Sequence, residues 1–225
     1  MASVNKKLYG TVMEQGNLVL PPRAGRDNKR DAILRIALTA FLTDGYAGTS
    51  MSSIAARLGG SKATLYSYFA SKEELFAAVI AERCQDIMAI VIEAGDGPGD
   101  FKTKLLRLGE RIIGFALSDE KIAIYRLITA ETARFPELGR AFYQSGPAEG
   151  KRFFSEYFAR AIADGHLKSA DTITMASHFF ELCTGDLHHR KLWNVIPDPS
   201  EAEIRLQVAR AVDVFLAAYG AAPSV

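Results

Sequence analysis

A short predicted helix that begins after Ser61 carries a concentration of hydrogen-bond donors and flat rings. If Leu65 and Phe69 face the protein core, the opposite side presents five other side chains: Lys62, Thr64, Tyr66, Ser67 and Tyr68. Side chains of these types contact phosphates, base edges and thymine methyl groups. Lys72 follows in the first turn of the next helix, where N-terminal amides also attract phosphate. The pattern predicts a surface that binds nucleic acid.

The charge distribution agrees with this prediction. Residues 1–72 contain ten Lys or Arg against four Asp or Glu, a net charge of +6, whereas residues 73–225 carry a net charge of −5. A basic first third favours a polyanionic partner for that part of the chain. Alternatively, because six of the ten cations lie in the first 30 residues, the excess belongs to a solvated tail.

Two further helices are predicted to position this face. Apolar residues recur at helical spacing over 33–41, and Asp44-Gly45 ends that helix because glycine accepts a left-handed turn. A second helix follows Ser50 and stops at Gly59-Gly60. Three short helices with a tight glycine turn match the helix-turn-helix pattern, in which the third helix enters the DNA major groove. Small helical folds that bind no DNA share the same arrangement.

The rest of the chain also shows helical patterns and no convincing strand alternation, which predicts an all-α fold. A capping box at Ser71–Glu74 opens a fourth helix that extends to about Ala94. After a glycine-rich break, helices are predicted from Asp100, over 120–133, from Pro136, from Gly146-Pro147 to Gly165, over 171–193 and over 200–219. We therefore predict three parts: a flexible arm (1–26), a helix-turn-helix domain (27–72) and a larger helical domain (73–225).

Residues 48–59 (GTSMSSIAARLG) and 61–76 (SKATLYSYFASKEELF) closely resemble the DNA-binding domain of TetR-type repressors. The resemblance covers about residues 29–80. It implies that Ser50 and Ser52 approach DNA from the second helix. It also implies a main DNA surface formed by Lys62, Ala63, Thr64, Tyr66, Tyr68 and Lys72. Gly60 departs from the family pattern, which usually has a small apolar residue there, and glycine is expected to loosen the turn.

The second half resembles the C-terminal domain of the AefR-like subgroup of these regulators, through YRLITAE (125–131), RFPELGRAFY (134–143) and Gly146-Pro147. This resemblance implies a ligand-binding and dimerisation domain whose last two helices pair with their counterparts as a four-helix bundle. The sequence itself supports a homodimer through residues 171–193 and 200–219. The second range has a long apolar stripe, and Phe179 and Phe180 cannot share one face of the first. Alternatively, these faces close the core of the monomer.

Aromatic residues, among them Phe142, Tyr143 and Phe153, are frequent in the fifth to eighth predicted helices and could line a cavity for a small molecule. The candidate ligand contacts are Arg111, Phe115, Tyr125, Phe154, Tyr157, Phe158 and His178. Each of them, taken singly, is better explained as ordinary core. An apolar or aromatic effector is predicted, of unknown identity.

These observations predict a ligand-responsive transcriptional repressor. It would bind a palindromic DNA operator as a homodimer, and a small molecule would release it. One alternative is a helix-turn-helix adaptor that acts through a protein partner without an effector. A helical enzyme is disfavoured because the sequence lacks paired E-x-x-H motifs, a G-x-S-x-G elbow and a nucleotide fingerprint.

We also expect no metal or cofactor, because His188 and His189 are adjacent and His178 lies five residues from Cys183, off the favourable helical spacing. No charge-free apolar run reaches the ~20 residues needed to span a bilayer. No apolar segment follows Lys6-Lys7 to make a signal peptide. The sequence therefore predicts a cytoplasmic protein without membrane contact.

Overall fold

The computed structural model describes residues 12–14, 17–19, 28–83 and 97–221. Helices dominate these ranges, which confirms the predicted all-α class. They are α1 (Asn28–Gly48), α2 (Met51–Leu58), α3 (Lys62–Tyr68), α4 (72–83 in the described part), α5 (Phe101–Ala116), α6 (Asp119–Glu131), α7 (Pro136–Tyr143), α8 (Glu149–Ala163), α9 (Thr172–Leu192) and α10 (Glu201–Tyr219). The predicted extension of the fourth helix to Ala94 lies outside the described residues.

A small hairpin lies within the predicted arm. Strands β1 (Val12–Glu14) and β2 (Asn17–Val19) pair antiparallel, with Val12 opposite Val19. The sequence predicts only irregular chain here, because three residues per strand are too few to show an alternating pattern. The other residues of the arm lie outside the described ranges.

Polar caps start the helices at the residues that the sequence predicts. The Ser50 and Ser61 hydroxyls accept hydrogen bonds from the backbone N–H groups of Ser53 and Thr64, at 3.0 and 3.1 Å. Ser71 accepts from Glu74 N–H at 3.1 Å, and Ser200 forms a capping box with Glu203. These bonds satisfy N–H groups that have no partner within a helix.

The long helical stretch from Pro136 to Ala163 differs from the prediction of two separate helices. A π-helical turn, Gln144–Ala148, joins α7 to α8 without a break. Pro147 lies inside this turn and has no N–H to donate to the preceding turn, so the normal α-helical hydrogen-bond ladder is interrupted there. The interruption widens the helix instead of ending it.

Buried side chains form two hydrophobic cores. The first contains α1, α2, α3 and α4 together with Ile124 and Ile128 of α6 and Leu138 of α7. The second is built from α5, α8, α9 and α10. Helices α6 and α7 lie in the larger domain by sequence, but their buried side chains pack in the core of the helix-turn-helix. These two helices therefore connect the two parts of the protein.

Candidate nucleic-acid interface and ligand cavity

Helix α3 presents the predicted polar face to solvent. Leu65 and Phe69 are buried in the first core, which fixes the rotation of the helix. On the opposite side Lys62, Ala63, Tyr66 and Ser67 are exposed, and Thr64 and Tyr68 are half-buried. The Tyr66 ring is 43% exposed, and Lys62 Nζ lies 5.8 Å from its centroid. This pair places a cation and an amphipathic ring on one accessible patch.

The hydroxyl groups of α3 are partly used within the helix. Ser67 Oγ donates to the Thr64 carbonyl at 2.7 Å, and the Thr64 and Ser61 hydroxyls are 3.0 Å apart. A hydroxyl that donates in this way still has lone pairs to accept a hydrogen bond. Lys62 and Tyr66 have the longest reach toward a partner, while Ser50 and Ser52 are exposed at the neighbouring N-terminus of α2.

Lys72 has a second role that the sequence does not reveal. Its ammonium donates to the Tyr46 carbonyl at 2.8 Å and to the Thr49 carbonyl at 2.9 Å, and lies 4.1 Å from the Tyr46 ring centroid. Carbonyl groups at a helix C-terminus carry partial negative charge, so a lysine stabilises them. Lys72 therefore ties the end of α1 to the start of α4. Its contact with a DNA phosphate stays a prediction.

A cavity of about 310 Å³ lies where α4, α5, α6, the α7–α8 segment and α9 meet. Three of the predicted ligand contacts, Phe115, Tyr125 and Phe154, line it. Tyr125 packs edge-to-face against Phe142, another wall residue, with ring centroids 5.1 Å apart. The walls are mostly aromatic and aliphatic, which suits a small apolar or aromatic ligand.

The other four predicted contacts do not line this cavity. Arg111 is exposed on α5, and Phe158 is fully buried in the second core, 5.0 Å from the Phe215 ring. Tyr157 packs near Phe101, and His178 Nδ1 is 2.6 Å from the Tyr219 hydroxyl in a separate surface groove. Helical periodicity predicts which face of each helix is apolar. It does not predict where neighbouring helices leave a space beside that face.

Several wall residues are absent from the sequence-based candidates. They are Ile80, Arg83, Ile112, Ala116, Lys121, Ile124, Gly146, Pro147, Gly150, Lys151, Ala176, Phe180 and Glu181. Lys121 is the most informative because only 7% of it is exposed. A lysine set among isoleucines in KIAI (121–124) is the sequence signal that could have indicated it.

Three residues that line the cavity also pack in the first core, which contains the helix-turn-helix. Ile80 of α4 and Ile124 of α6 are members of the first core, and Phe142 of α7 packs against it. The cavity wall and the first core, which lies beneath α3, thus share these three side chains. Tight packing transmits the displacement of such shared groups to both sides.

Helices α9 and α10 present an open groove of about 380 Å³ lined by Leu182, Val214, Phe215, Ala218 and Tyr219, with His178 and Glu181. Most of the predicted dimer stripe of α10 is used within the protomer, because Val208, Ala211, Val212 and Phe215 are buried in the second core. Phe179 is also buried there, and Phe180 faces the cavity, so one protomer accommodates both rings. The large exposed apolar residues of these two helices are Ile173 at 48% on α9, and Leu206 at 50% and Val214 at 54% on α10.

The histidines near Cys183 are placed in different surroundings. The His188 ring packs against the Tyr125 ring, where burial lowers the pKa of His188, and His189 stacks on Trp193. Burial raises the pKa of the Cys183 thiol to about 12. Across the residues with described placement, no three His, Cys, Asp or Glu side chains form a group that could hold a metal ion. Within those same ranges, no helix combines the length and apolarity that a bilayer span requires.

The exposed α3 face on a capped three-helix unit defines a helix-turn-helix DNA-binding protein. Residues 33–79 match the family described as bacterial regulatory proteins, tetR family. Residues 103–221 match the family described as AefR-like transcriptional repressor, C-terminal domain. The chain belongs to the TetR family of transcriptional regulators, as both resemblances predicted.

Its relatives are transcriptional regulators and not enzymes. The HTH-type transcriptional activator FasR of Mycolicibacterium smegmatis is 34% identical over 106 residues, a match spanning 47% of this chain and 48% of FasR. A TetR-family regulator from Mesorhizobium loti is 30% identical and superposes with a TM-score of 0.75 over 85% of this chain and 96% of its own. The flavonoid-responsive regulator FrrA is 31% identical, with a TM-score of 0.74 over 88% and 98%.

Proposed function

We propose that this chain is a homodimeric transcriptional repressor that a small aromatic molecule releases from a palindromic operator. The α3 faces of the two protomers bind adjacent major grooves, and the effector occupies the cavity between α4 and α9. Lys62, Tyr66 and the other exposed α3 residues supply phosphate and base contacts. Two half-sites about 34–36 Å apart are the usual geometry for such a dimer.

The shared wall is the observation that carries this proposal. A ligand in the cavity contacts Ile80, Ile124 and Phe142, which also pack the core that orients α3. A ligand that prefers one arrangement of these side chains shifts the orientation of the DNA-binding face. By reciprocity, operator DNA weakens ligand binding by the same factor.

The exposed apolar residues of α10 support the dimer. Val214 and Leu206 are apolar, half exposed and on the same side of α10, eight residues apart. Residues at this spacing lie on one face of a helix. A twofold axis beside them would bury both against the partner's copies, as in a four-helix bundle.

The adaptor without an effector is the second candidate function. It predicts a C-terminal domain that is packed shut, and the cavity of about 310 Å³ argues against it. FrrA, a relative named as flavonoid-responsive, supports an aromatic effector. FasR is named an activator, so the direction of regulation is tested by a reporter gene under the bound promoter.

The test combines DNA selection with a blocked cavity. DNA duplexes selected by the purified protein are bound in gel shifts, with and without a panel of aromatic compounds that includes the flavonoid naringenin. We expect at least one compound to weaken DNA binding by about fivefold or more, the usual lower range of allosteric coupling. Gly150→Met places a side chain in open space at the cavity wall and is expected to keep DNA binding but lose this response.

Gly114→Met is the matched control, because Gly114 also lies within a helix with open space around it but does not line the cavity. If selection returns no preferred duplex, the regulator proposal fails. If DNA binding is unchanged by every compound, the adaptor replaces the ligand-responsive repressor.

A further inference from the structure

We propose that the indole ring of Trp193 packs into the groove between α9 and α10 of the partner protomer, so that each protomer of the dimer fills the groove of the other. This inference rests on the proposed function, because it extends the homodimer proposed there. Trp193 follows the end of α9 and is 68% exposed, the highest value among the large exposed apolar residues in the described part of the chain. Its ring stacks on the His189 ring, with the centroids 5.3 Å apart.

The exposed apolar residues of α10 alone are too few for a stable dimer. Leu206 and Val214 are 50% and 54% exposed, whereas a stable interface buries about 800 Å² and roughly 20–30 residues on each partner. Further apolar surface must therefore take part. Trp193 is suited to this role, because a tryptophan side chain buries about 150–250 Å² and tryptophan is enriched among the residues that dominate interface energies.

Two pairs of residues on α10 place the twofold axis at one level of the helix. Leu206 and Val214 are centred on residue 210, and the exposed opposite charges Arg210 and Asp213 are centred between residues 211 and 212. In an isologous dimer each residue of such a pair meets the other member on the partner. Asp213 also forms an exposed ion pair with Lys102 at 2.7 Å, and a carboxylate accepts from more than one donor. An axis that crosses α10 at 210–212 therefore buries the apolar pair and brings opposite charges together.

The exposed side of α9 indicates the same level. His178 Nδ1 is 2.6 Å from the Tyr219 hydroxyl, so the start of α9 lies beside the end of α10 and the two helices run antiparallel. Counted equally along both helices from this contact, the midpoint between His178 and Trp193, at 185–186, lies level with 211–212 of α10. The axis that α10 favours therefore also relates Trp193 of one protomer to His178 of its partner.

The distance from the axis suits a four-helix bundle. Trp193 lies about eight residues, or roughly 11 Å along the helix, from the midpoint of that stretch. Helices in such bundles cross at about 20°, so they stay adjacent over this length. The indole is thus placed beside the end of the partner's groove at which His178 and Tyr219 lie.

The groove has the chemistry that an indole ring requires. Leu182, Phe215 and Ala218 supply apolar walls to its volume of about 380 Å³, and Tyr219 adds an aromatic ring. An indole N–H also requires an acceptor when it is buried. Glu181 is an exposed carboxylate at the groove. Because Glu181 lines the effector cavity as well, the partner's indole would lie one side chain away from the effector.

The fluorescence of Trp193 tests this contact in the full-length protein, because Trp193 is the only tryptophan in the sequence. Emission and acrylamide quenching are measured over a dilution series, and the mass is followed by light scattering. We expect the emission to shift to shorter wavelength and the quenching to fall as monomers form dimers, because the indole leaves water. Val214→Arg, which is expected to be monomeric, supplies the exposed reference if the wild-type dimer does not dissociate on dilution.

Substitutions test whether the indole lies in the groove. Trp193→Ala should raise the dimer dissociation constant by about tenfold or more, as truncation of a tryptophan hot spot does, and Trp193→Phe should recover most of this loss. Ala218→Arg obstructs the groove at an exposed position and should have a similar effect. Trp193→Ala and Ala218→Arg combined should cost less than the product of the two single effects, because both remove one shared contact. Ile173→Ala is the control, since Ile173 is 48% exposed on α9 but does not line the groove.

The outcomes separate this inference from the proposed function. A dimer in which Trp193 is quenched as strongly as in the monomer would overturn the inference and leave the homodimer intact, as would a dimer that Trp193→Ala does not weaken. Effects of Trp193→Ala and Ala218→Arg that multiply fully would also overturn it, because the indole would then be buried elsewhere. A wild-type protein that is monomeric at every concentration would contradict the proposed homodimer itself.

Discussion

Two lysines near the predicted DNA-binding face lie in different electrostatic surroundings. Lys62 is exposed beside the Tyr66 ring, whereas the Lys72 ammonium is held by the carbonyls of Tyr46 and Thr49. A side chain that already caps a helix has less freedom to follow a phosphate. The two positions should therefore respond differently to the same substitution.

We expect Lys62→Ala to weaken DNA binding and to lower the salt dependence by about one phosphate contact per protomer. Lys72→Ala should lower the free energy of unfolding by about 1–2 kcal/mol, because two carbonyls lose a charged donor. Salt titrations of DNA affinity and urea unfolding measure the two effects. If both variants lower the salt dependence of DNA affinity equally and Lys72→Ala keeps wild-type stability, the main role of Lys72 would be to contact phosphate.

The turn between α2 and α3 contains two glycines with different requirements. Gly59 has a φ of +68°, and a Cβ at Gly60 would meet Leu58 Cδ2 at an ordinary contact distance of 3.6 Å. Gly60→Ala should raise the free energy of unfolding by about 0.4–1 kcal/mol, since alanine restricts the unfolded chain. Gly59→Ala should lower it by about 1–2 kcal/mol, because its left-handed conformation strains a side chain.

Urea unfolding of the three proteins checks this prediction. A destabilised Gly60→Ala protein would mean that the turn requires glycine at both positions. In that case the departure from the family pattern at Gly60 would be a requirement of this fold and not a loosening of the turn.

At the scale of elements, Gly109 lets α5 approach α9 and α10 closely. A Cβ built there would lie 2.5 Å from Val208 Cγ1 and 3.1 Å from Cys183 Sγ. Gly109→Ala should therefore lower the free energy of unfolding by about 1–3 kcal/mol through overpacking. Gly114→Ala on the same helix has open space around it and should raise stability by about 0.5–1 kcal/mol. Thermal and urea unfolding measure both, and a neutral Gly109→Ala would contradict the close approach.

Helix starts could be predicted from the sequence because capping is local. Ser50, Ser61 and Ser200 each form a hydrogen bond with a group three residues away, so the local sequence is enough to predict the start of each helix.

The cavity could be predicted only in part. Phe154 lines it and Phe158 does not, although both lie on the inner side of α8. The difference depends on how α5, α9 and α10 fill the space, which involves contacts between distant parts of the chain.

At the scale of the whole molecule, the proposed dimer depends on the exposed face of α10. Val214→Arg should convert the dimer to a monomer and reduce operator affinity by at least about tenfold, because a charge at the centre of an apolar interface is desolvated without a partner. Ala159→Arg adds the same charge to the exposed side of α8 and should leave the mass unchanged. Light scattering gives the mass, and a dimeric Val214→Arg protein would place the interface elsewhere.

For engineering, the residues that line the cavity fall into two groups: those that also pack in the first core and those that do not. In the proposed function Ile80, Ile124 and Phe142 connect the ligand cavity to the DNA-binding helix, so substitutions there should alter the gain of a biosensor built on this protein. Gly150, Ala176 and Phe180 lie on α8 and α9, away from that core, and offer positions to retune chemical selectivity while preserving the dynamic range.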